Sequence, residues 1–529
     1  MKKVLFVITF LLLLSGKAYA AEENYSANLG DSAEQGIYIK TPYPLLLTDI
    51  KKETYGDVID TRFTYKIRNL KAKNSFIAIT KRDLPNGDYF LFTEIKNTSS
   101  KKLKVELLIN QNGGVETSLQ SFEKYPVKHG NSPSVGYDPT TYPVGLLELK
   151  NTDQLIQNYM IGKAYYSREL EKTYKHGSTS KVRELIKEEN PLTIDGHAIT
   201  LSMKSEGKDI VDQWLMVSKK PLFENNRNLQ LWMQESAVNY RKTNAWYTAN
   251  GPYNKMVDTI EPLPASKLGY GRTLLLLKED RALQLYRENG ERYFYNLLYN
   301  SLANLDKFKG NKLYWETEVT STYLKNLYGI TAPFIDTRFN EQTALFLKGA
   351  GETLGIEGLE KAFYDYADLL IFQAESGNII NTGNEGYFIP DYFAVNQNVK
   401  THMSLNHGLG GMNLLLEAYL DSGKSKYLET AKRIQIGLET EGEKWIRQNE
   451  DLWYKVNPDL TYHGTDYVHL TLLDLLKTYA LWSKIDNNHN IFIDKLIRSK
   501  VAYLKNANIS LTLTIKNHLK ANGFEELIY

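Results

Sequence analysis

Two periods divide the chain. From about residue 37 to 215 the apolar positions alternate with polar ones or form short β-rich strings. Residues 76–80 (FIAIT) precede Pro85-Asn86-Gly87-Asp88, and residues 89–93 (YFLFT) follow. Asn-Gly between two such runs predicts a hairpin, because both central residues accept positive φ. Residues 103–109 continue after a polar turn at 97–102, and residues 196–201 and 211–217 read as the last strands. The stretch 167–188, charged and weakly patterned, reads as a loop or surface helix. Consecutive strands of this kind form an antiparallel meander, which closes as a sandwich or barrel.

From about residue 222 the period becomes helical. Phe294, Leu297, Leu298 and Leu302 share one face. Residues 346–354, Gly355 and 359–372 read as helix, stop and helix; residues 409–420, Gly423 and 427–445 repeat the theme. Repeated helix pairs with short loops predict an α/α toroid or a solenoid. The predicted fold is therefore multidomain: an N-terminal antiparallel β-sandwich or barrel over 21–220, followed by a C-terminal α/α toroid (an incomplete barrel) over 221–529. A toroid carries its site at one rim, where the loops before the inner helices meet.

Composition narrows the class. At 529 residues, 42% hydrophobic and 24% charged, the chain has the balance of a folded protein with more than one core. Lys2 and Lys3, an apolar stretch over 4–14 and Ala18-Tyr19-Ala20 read as a cleavable signal peptide over 1–20, hence an exported protein, secreted or held at the cell wall. Removing it takes away three lysines and moves the formal net charge from +2 to −1, which argues against a nucleic-acid partner. No later stretch reads as a membrane span. With no cysteine there is neither a disulfide nor a thiolate metal site. No metal or cofactor motif is present, and whether the chain dimerises is left open.

The candidate chemistry lies in short polar-aromatic strings before helices. Asp391 and Tyr392 pair an acid with a phenol, and Asn406 and His407 open a helical run. Trp453, Tyr454 and Lys455 combine groups that stack on a sugar with a cation for its carboxylate, or read equally as a strand-like excursion that covers the toroid core. Asp466, Tyr467 and His469 precede the run 470–482; Asp466 also fits a plain helix cap, and a first-turn position would lower the pKa of Tyr467 or His469. Arg338 reads either as a bidentate carboxylate clamp or as the ion-pair partner of Asp336 or Glu341. Glu316, Glu318, Glu341 and Asp391 keep a two-carboxylate hydrolase in view. Residues 246–253 and Tyr270-Gly271-Arg272 are a weaker sugar-stacking string. Each tyrosine has a competing role in packing, since the chain holds 37 of them.

Asp391-Tyr392, Leu405-Asn406, Tyr454 and Asp466-Tyr467 occur in an order that resembles the C-terminal domain of the D-glucuronyl C5-epimerase family, over residues 380–482. That family places β-structure before an α/α barrel. The resemblance implies removal of the C5 proton of a glucuronate residue in a polysaccharide and its return to the opposite face, without a cofactor. It assigns the acid and base roles to Tyr392, Tyr454 and Tyr467. Asp391, Asn406, His407, Lys455, Arg338, Asp466 and His469 are then the candidate substrate contacts. This chain departs from the family at Lys455, where an arginine is usual, and at Val468. A polysaccharide lyase, which shares the proton abstraction and then eliminates the C4 substituent, is the alternative. A non-catalytic cell-surface polysaccharide-binding protein is the reading from another class.

Overall fold

A computed structural model describes residues 25–529 apart from 29–36, 69, 71–73, 110–114, 133–135, 152–153, 176–177, 196–197, 239–242, 256–259, 262, 264–268 and 395–396. The expected signal peptide and the start of the strand expected at 196 lie outside the described residues.

The strand-rich half forms two large sheets. A twelve-stranded antiparallel sheet is centred on Asp209–Ser218, flanked by Tyr89–Asn97 and Ala164–Thr173. A five-stranded sheet has Leu103–Ile109 between Ile37–Thr41 and Ala198–Ser205. Leu91, Ile95, Val211 and Leu215 of the large sheet meet Ile39, Val105, Leu107 and Leu201 of the small one in a single core. Two sheets packed face to face make a sandwich.

The opposite face of the large sheet is also apolar. Phe90, Phe92, Trp214 and Met216 pack with residues of the helices, among them Trp232, Phe294, Leu297 and Leu298. Asp209–Ser218 is accordingly buried at every position. Because successive strand residues point to opposite faces, one strand serves two cores, and the sheet and the helices share a seam.

Two sequence expectations change here. The turn at Asn86-Gly87 is longer than a two-residue hairpin: Gly87 N–H donates to Leu84 O at 3.0 Å and Leu84 N–H to Asp88 O at 2.9 Å. Only Gly87 takes positive φ in this turn, at 84°. The charged stretch 167–188 is neither loop nor helix but most of the hairpin Ala164–Thr173 and Thr179–Glu189. Its charges are cross-strand partners: Arg168 stands opposite Glu184 and Glu171 opposite Lys181, with Glu171 and Lys181 3.2 Å apart.

The long helices are α1 (Asn226–Val238), α2 (Arg292–Lys309), α3 (Thr337–Leu354), α4 (Lys361–Glu375), α5 (Leu405–Ser422), α6 (Ser425–Glu441), α7 (Leu470–Ile485) and α8 (Asn490–Asn506). α3 packs on α4, α5 on α6 and α7 on α8, while α5 also lies between α3 and α7. Three helix pairs thus stand side by side as an arc. Gly355 and Gly423, each with φ 69°, end α3 and α5 in the left-handed conformation that a β-carbon disfavours. The arc core includes Leu409, Leu415, Leu472, Leu475, Trp445 and Trp482. Short strands brace the inner helices at their start. Ile335–Asp336 pairs with Tyr392–Phe393 ahead of α3, and Met403–Ser404, Trp453–Val456 and Tyr462–Thr465 form a small sheet beside α5 and α7. Among the described residues no helix is long and apolar enough to cross a membrane.

Candidate active site

The N-terminal ends of α3, α5 and α7 meet at one cavity of about 460 Å³. Tyr392, Tyr454 and Tyr467 line it, from the three separate strings in which the sequence places them, together with Asp336, Arg338, Asn406 and His407. Tyr454 and Tyr467 lie edge to face with ring centroids 5.6 Å apart. Tyr392 stands with its ring 5.9 Å from His407. Phe308, Phe334 and Leu274 supply apolar wall, the usual make-up of a small-molecule site.

Local structure explains the convergence. Asp336 caps α3 by accepting from Phe339 N–H at 3.0 Å, which leaves its side chain at the mouth of the helix. Asn406 and His407 occupy the first turn of α5. Asn406, 3% exposed, lines the cavity, and its amide oxygen is buried without a hydrogen-bond partner. The hairpin Trp453–Val456 and Tyr462–Thr465 brings Tyr454 beside Tyr467. Its ends are pinned by one buried cation: Lys500 Nζ of α8 lies 2.7 Å from both Asp451 Oδ1 and Asp466 Oδ2.

Behind the wall, Asp391 is fully buried and accepts from Ser404 N–H at 2.7 Å and from the Ser404 hydroxyl, at the N-terminus of α5. His402 Nε2 and His407 Nδ1 stand 3.3 and 3.6 Å from its carboxylate. Burial opposes ionisation of Asp391, but the two imidazoles and the Ser404 hydroxyl outweigh it and hold the carboxyl below its ordinary range. Burial pushes His407 down to about 4 and keeps it neutral at pH 7. Burial likewise raises the pKa of Tyr392, Tyr454 and Tyr467, with the Asp391 charge adding to each. The expectation that a helix N-terminus lowers Tyr467 is therefore reversed. α7 begins only at Leu470, and Tyr467 sits in the approach to it.

Several expected substrate contacts serve the framework instead. Asp391 lies behind the wall rather than on it. Asp466 does not cap α7; its carboxylate is taken by Lys500 and by the Thr471 hydroxyl at 2.6 Å. His469 occupies the cap position without a side-chain cap bond and lies 3.1 Å from the Ser510 carbonyl, off the cavity wall. Lys455 is buried behind Tyr323, its ammonium on that hydroxyl and 4.9 Å from the ring centroid. Arg338 lines the cavity but is no open clamp: Nη1 donates to Glu341 Oε2 at 2.9 Å and to Asn406 O at 3.1 Å, and Nη2 reaches both Asp474 oxygens at 2.9 Å. Gly410 makes room for this pair, since a β-carbon there would collide with Arg338 Nη1 and Glu341 Oε2.

The hydrolase acids are also occupied. Glu316 pairs with Lys312, Glu318 with Arg272 and Glu341 with Arg338. Trp246 and Tyr247 are buried in the cores.

Three contributors escaped the sequence reading. Tyr323 lines the cavity from a short helix, and His402 stacks on Tyr328 and lies edge to face with Tyr323 and Tyr392, its Nδ1 2.8 Å from the Tyr328 hydroxyl. Asp336, seen from sequence only as a partner for Arg338, is among the described residues the one carboxylate on the wall. Its signal was the Asp-Thr-Arg-Phe string at a helix start, which marks a cap and says nothing of a cavity. Among the described residues no group of three or more His, Asp or Glu is arranged to hold a metal ion.

The sequence matches no protein-family model and no curated protein. Solved structures resemble it at low level. A sugar epimerase from a ruminal bacterium is 15% identical, over 40% of this chain and 53% of that one, with a TM-score of 0.30. An unsaturated glucuronyl hydrolase from Bacillus sp. GL1 is 13% identical, over 44% and 61%, with a TM-score of 0.31. Cellobiose 2-epimerase from Spirochaeta thermophila is 13% identical, over 50% and 66%, with a TM-score of 0.35. The chain thus spans 53% to 66% of the length of these structures. Likenesses this low assign no activity.

Proposed function

We propose that the protein is an exported carbohydrate-active isomerase that inverts C5 of uronate residues in an acidic polysaccharide, as its resemblance to the D-glucuronyl C5-epimerases implies. The arc of helix pairs is then an incomplete α/α toroid with its site at one rim. The observation that carries this reading is the convergence of Tyr392, Tyr454 and Tyr467 on one cavity that Asn406 and Arg338 also line.

The chemistry is proton transfer at a carbon next to a carboxylate. One group removes the C5 proton, the electron pair moves into an enediolate, and a group on the other face returns a proton. Phenols raised by burial are neutral at pH 7 and suit the second step, because they hold a proton to give. The positive charge of Arg338, on the cavity wall, favours the negative charge that develops between the steps. A lyase shares the first step and differs only in expelling the C4 substituent. The described wall carries one carboxylate and so does not supply the pair that the usual acid–base route of glycoside hydrolysis employs.

Incubation with glucuronate-containing polysaccharides in deuterated water tests the reading. Deuterium should appear at C5 without chain cleavage. Tyr467→Phe should lower exchange at least ~100-fold, the usual worth of an acid–base group, with the thermal transition unchanged. Binding without exchange by the wild-type protein would reduce it to a polysaccharide-binding protein, and an unsaturated uronate product would make it a lyase.

A further inference from the structure

The proposed reaction leaves one step unexplained. A neutral phenol cannot take the C5 proton until its own proton has somewhere to go, and burial keeps Tyr392 neutral. We propose that Asp336 is a further catalytic residue, the carboxylate that accepts the Tyr392 hydroxyl proton as Tyr392 removes the proton from C5. This rests on the epimerase reading and specifies the base side of it.

Placement carries the argument. Asp336 and Tyr392 are directly opposite in the two-residue antiparallel pairing ahead of α3, so their side chains leave the same face as neighbours. Both line the cavity. Asp336 is among the described residues the one carboxylate that does, whereas Asp391 stands behind it. Thr337, next to Asp336, fixes the two strands together through backbone, its N–H and hydroxyl donating to the Asp391 main-chain carbonyl at 2.9 and 2.8 Å.

Their surroundings push the two acids apart. Asp391 is met by the Ser404 N–H and hydroxyl and by two imidazoles and stays ionised. Asp336 accepts from the Phe339 N–H, and burial next to the Asp391 charge raises it to about 7, against the pull of Arg338. The other groups around it are Tyr392, Tyr467 before α7, Tyr366 of α4 and His407 of α5, which is 2.9 Å from the Thr337 hydroxyl. Two acids set apart in this way are the mark of an assigned proton donor or acceptor.

The step balances. The C5–H bond breaks, its proton joins Tyr392 Oη, and the Tyr392 proton passes to Asp336. The C–H electron pair enters the enediolate. Tyr454 or Tyr467 then gives its proton to the opposite face of C5 and becomes a phenolate. Solvent restores both groups.

Asp336→Asn is the test, because asparagine caps a helix as well as aspartate and the fold should persist. Wild-type C5 exchange should rise with pH through about 7, as Asp336 ionises. The variant should lose at least ~100-fold in exchange rate, the scale of one acid–base group, and lose that limb of the pH profile. A variant that keeps the rate and the limb overturns the role of Asp336 and leaves the epimerase reading intact. Absence of exchange by the wild-type protein overturns both together. If the wild type cleaves instead, loss of cleavage in the variant supports Asp336 as the relay for the same proton, and retained cleavage overturns it.

Discussion

Two buried arginines show how differently this chain treats charge at its seam and at its cavity. Arg82, on the strand Phe76–Asp83, is fully buried and uses every N–H it has. It donates to Asp60 Oδ1 and Oδ2 at 2.7 and 2.8 Å, to Asn300 and Asn304 of α2 at 2.6 and 2.7 Å, and to Ala249 O at 2.9 Å. Arg338, 8% exposed on the cavity wall, leaves its Nε without a partner. It shares its other nitrogens between Glu341, pushed by burial up to about 7, and Asp474, also raised by burial. A charge closed on all sides fastens one layer to the next. A charge left partly open, beside acids whose protons burial helps to hold, is what a site for proton transfer needs.

The contrast can be broken by experiment. Arg82→Met leaves the buried Asp60 carboxylate with Lys307, 3.6 Å away, as its remaining cation and should cost about 3–5 kcal/mol in urea unfolding at pH 6. A loss below about 1 kcal/mol would remove the seam from the argument. Asp336→Asn should do the reverse at the cavity. The folded carboxyl titrates near 7 against an ordinary 3.8. The contribution of this one group to stability is therefore present in full below about 4 and is lost as pH rises to about 7, by at most about 4 kcal/mol. The variant should match the wild type at pH 4 and exceed it at pH 8 by about 2–4 kcal/mol; parallel curves would show that Asp336 ionises as easily as a surface acid. Arg338→Met should have the smallest effect, about 1–3 kcal/mol at pH 6, because Glu341 can take a proton when its partner is lost. The loss should grow between pH 6 and 8, and a loss at pH 6 equal to that of Arg82→Met would erase the distinction between the two arginines.

Much of this site can be read along the chain. The change of period near residue 220 matches the passage from the strand Asp209–Ser218 to helix α1 at Asn226. The strings around Tyr392 and Tyr467 come ahead of helices and that around Tyr454 lies on a hairpin strand, and the three tyrosines do share a cavity. The reading failed where a residue's role depends on a partner far away in sequence. Asp466 has the look of a cap, yet its partner Lys500 is on another helix. Lys455 has the look of a substrate cation, yet Tyr323 takes it. The hairpin over 164–189 was hidden because its charges answer each other across strands, not along them.

What the sequence determined by itself is local: which segments favour strand or helix, where glycine must end a helix, and which polar groups stand at helix starts. These follow from backbone conformation and side-chain period, which each segment carries alone. The tertiary structure decided the pKa values and the assignments. It turned Tyr467 from an expected easy base into a phenol that keeps its proton, moved Asp391 behind the wall and brought Asp336 onto it. Burial and charge pairing act through space, so the chemistry of these groups was fixed only when the inner helices brought their ends together.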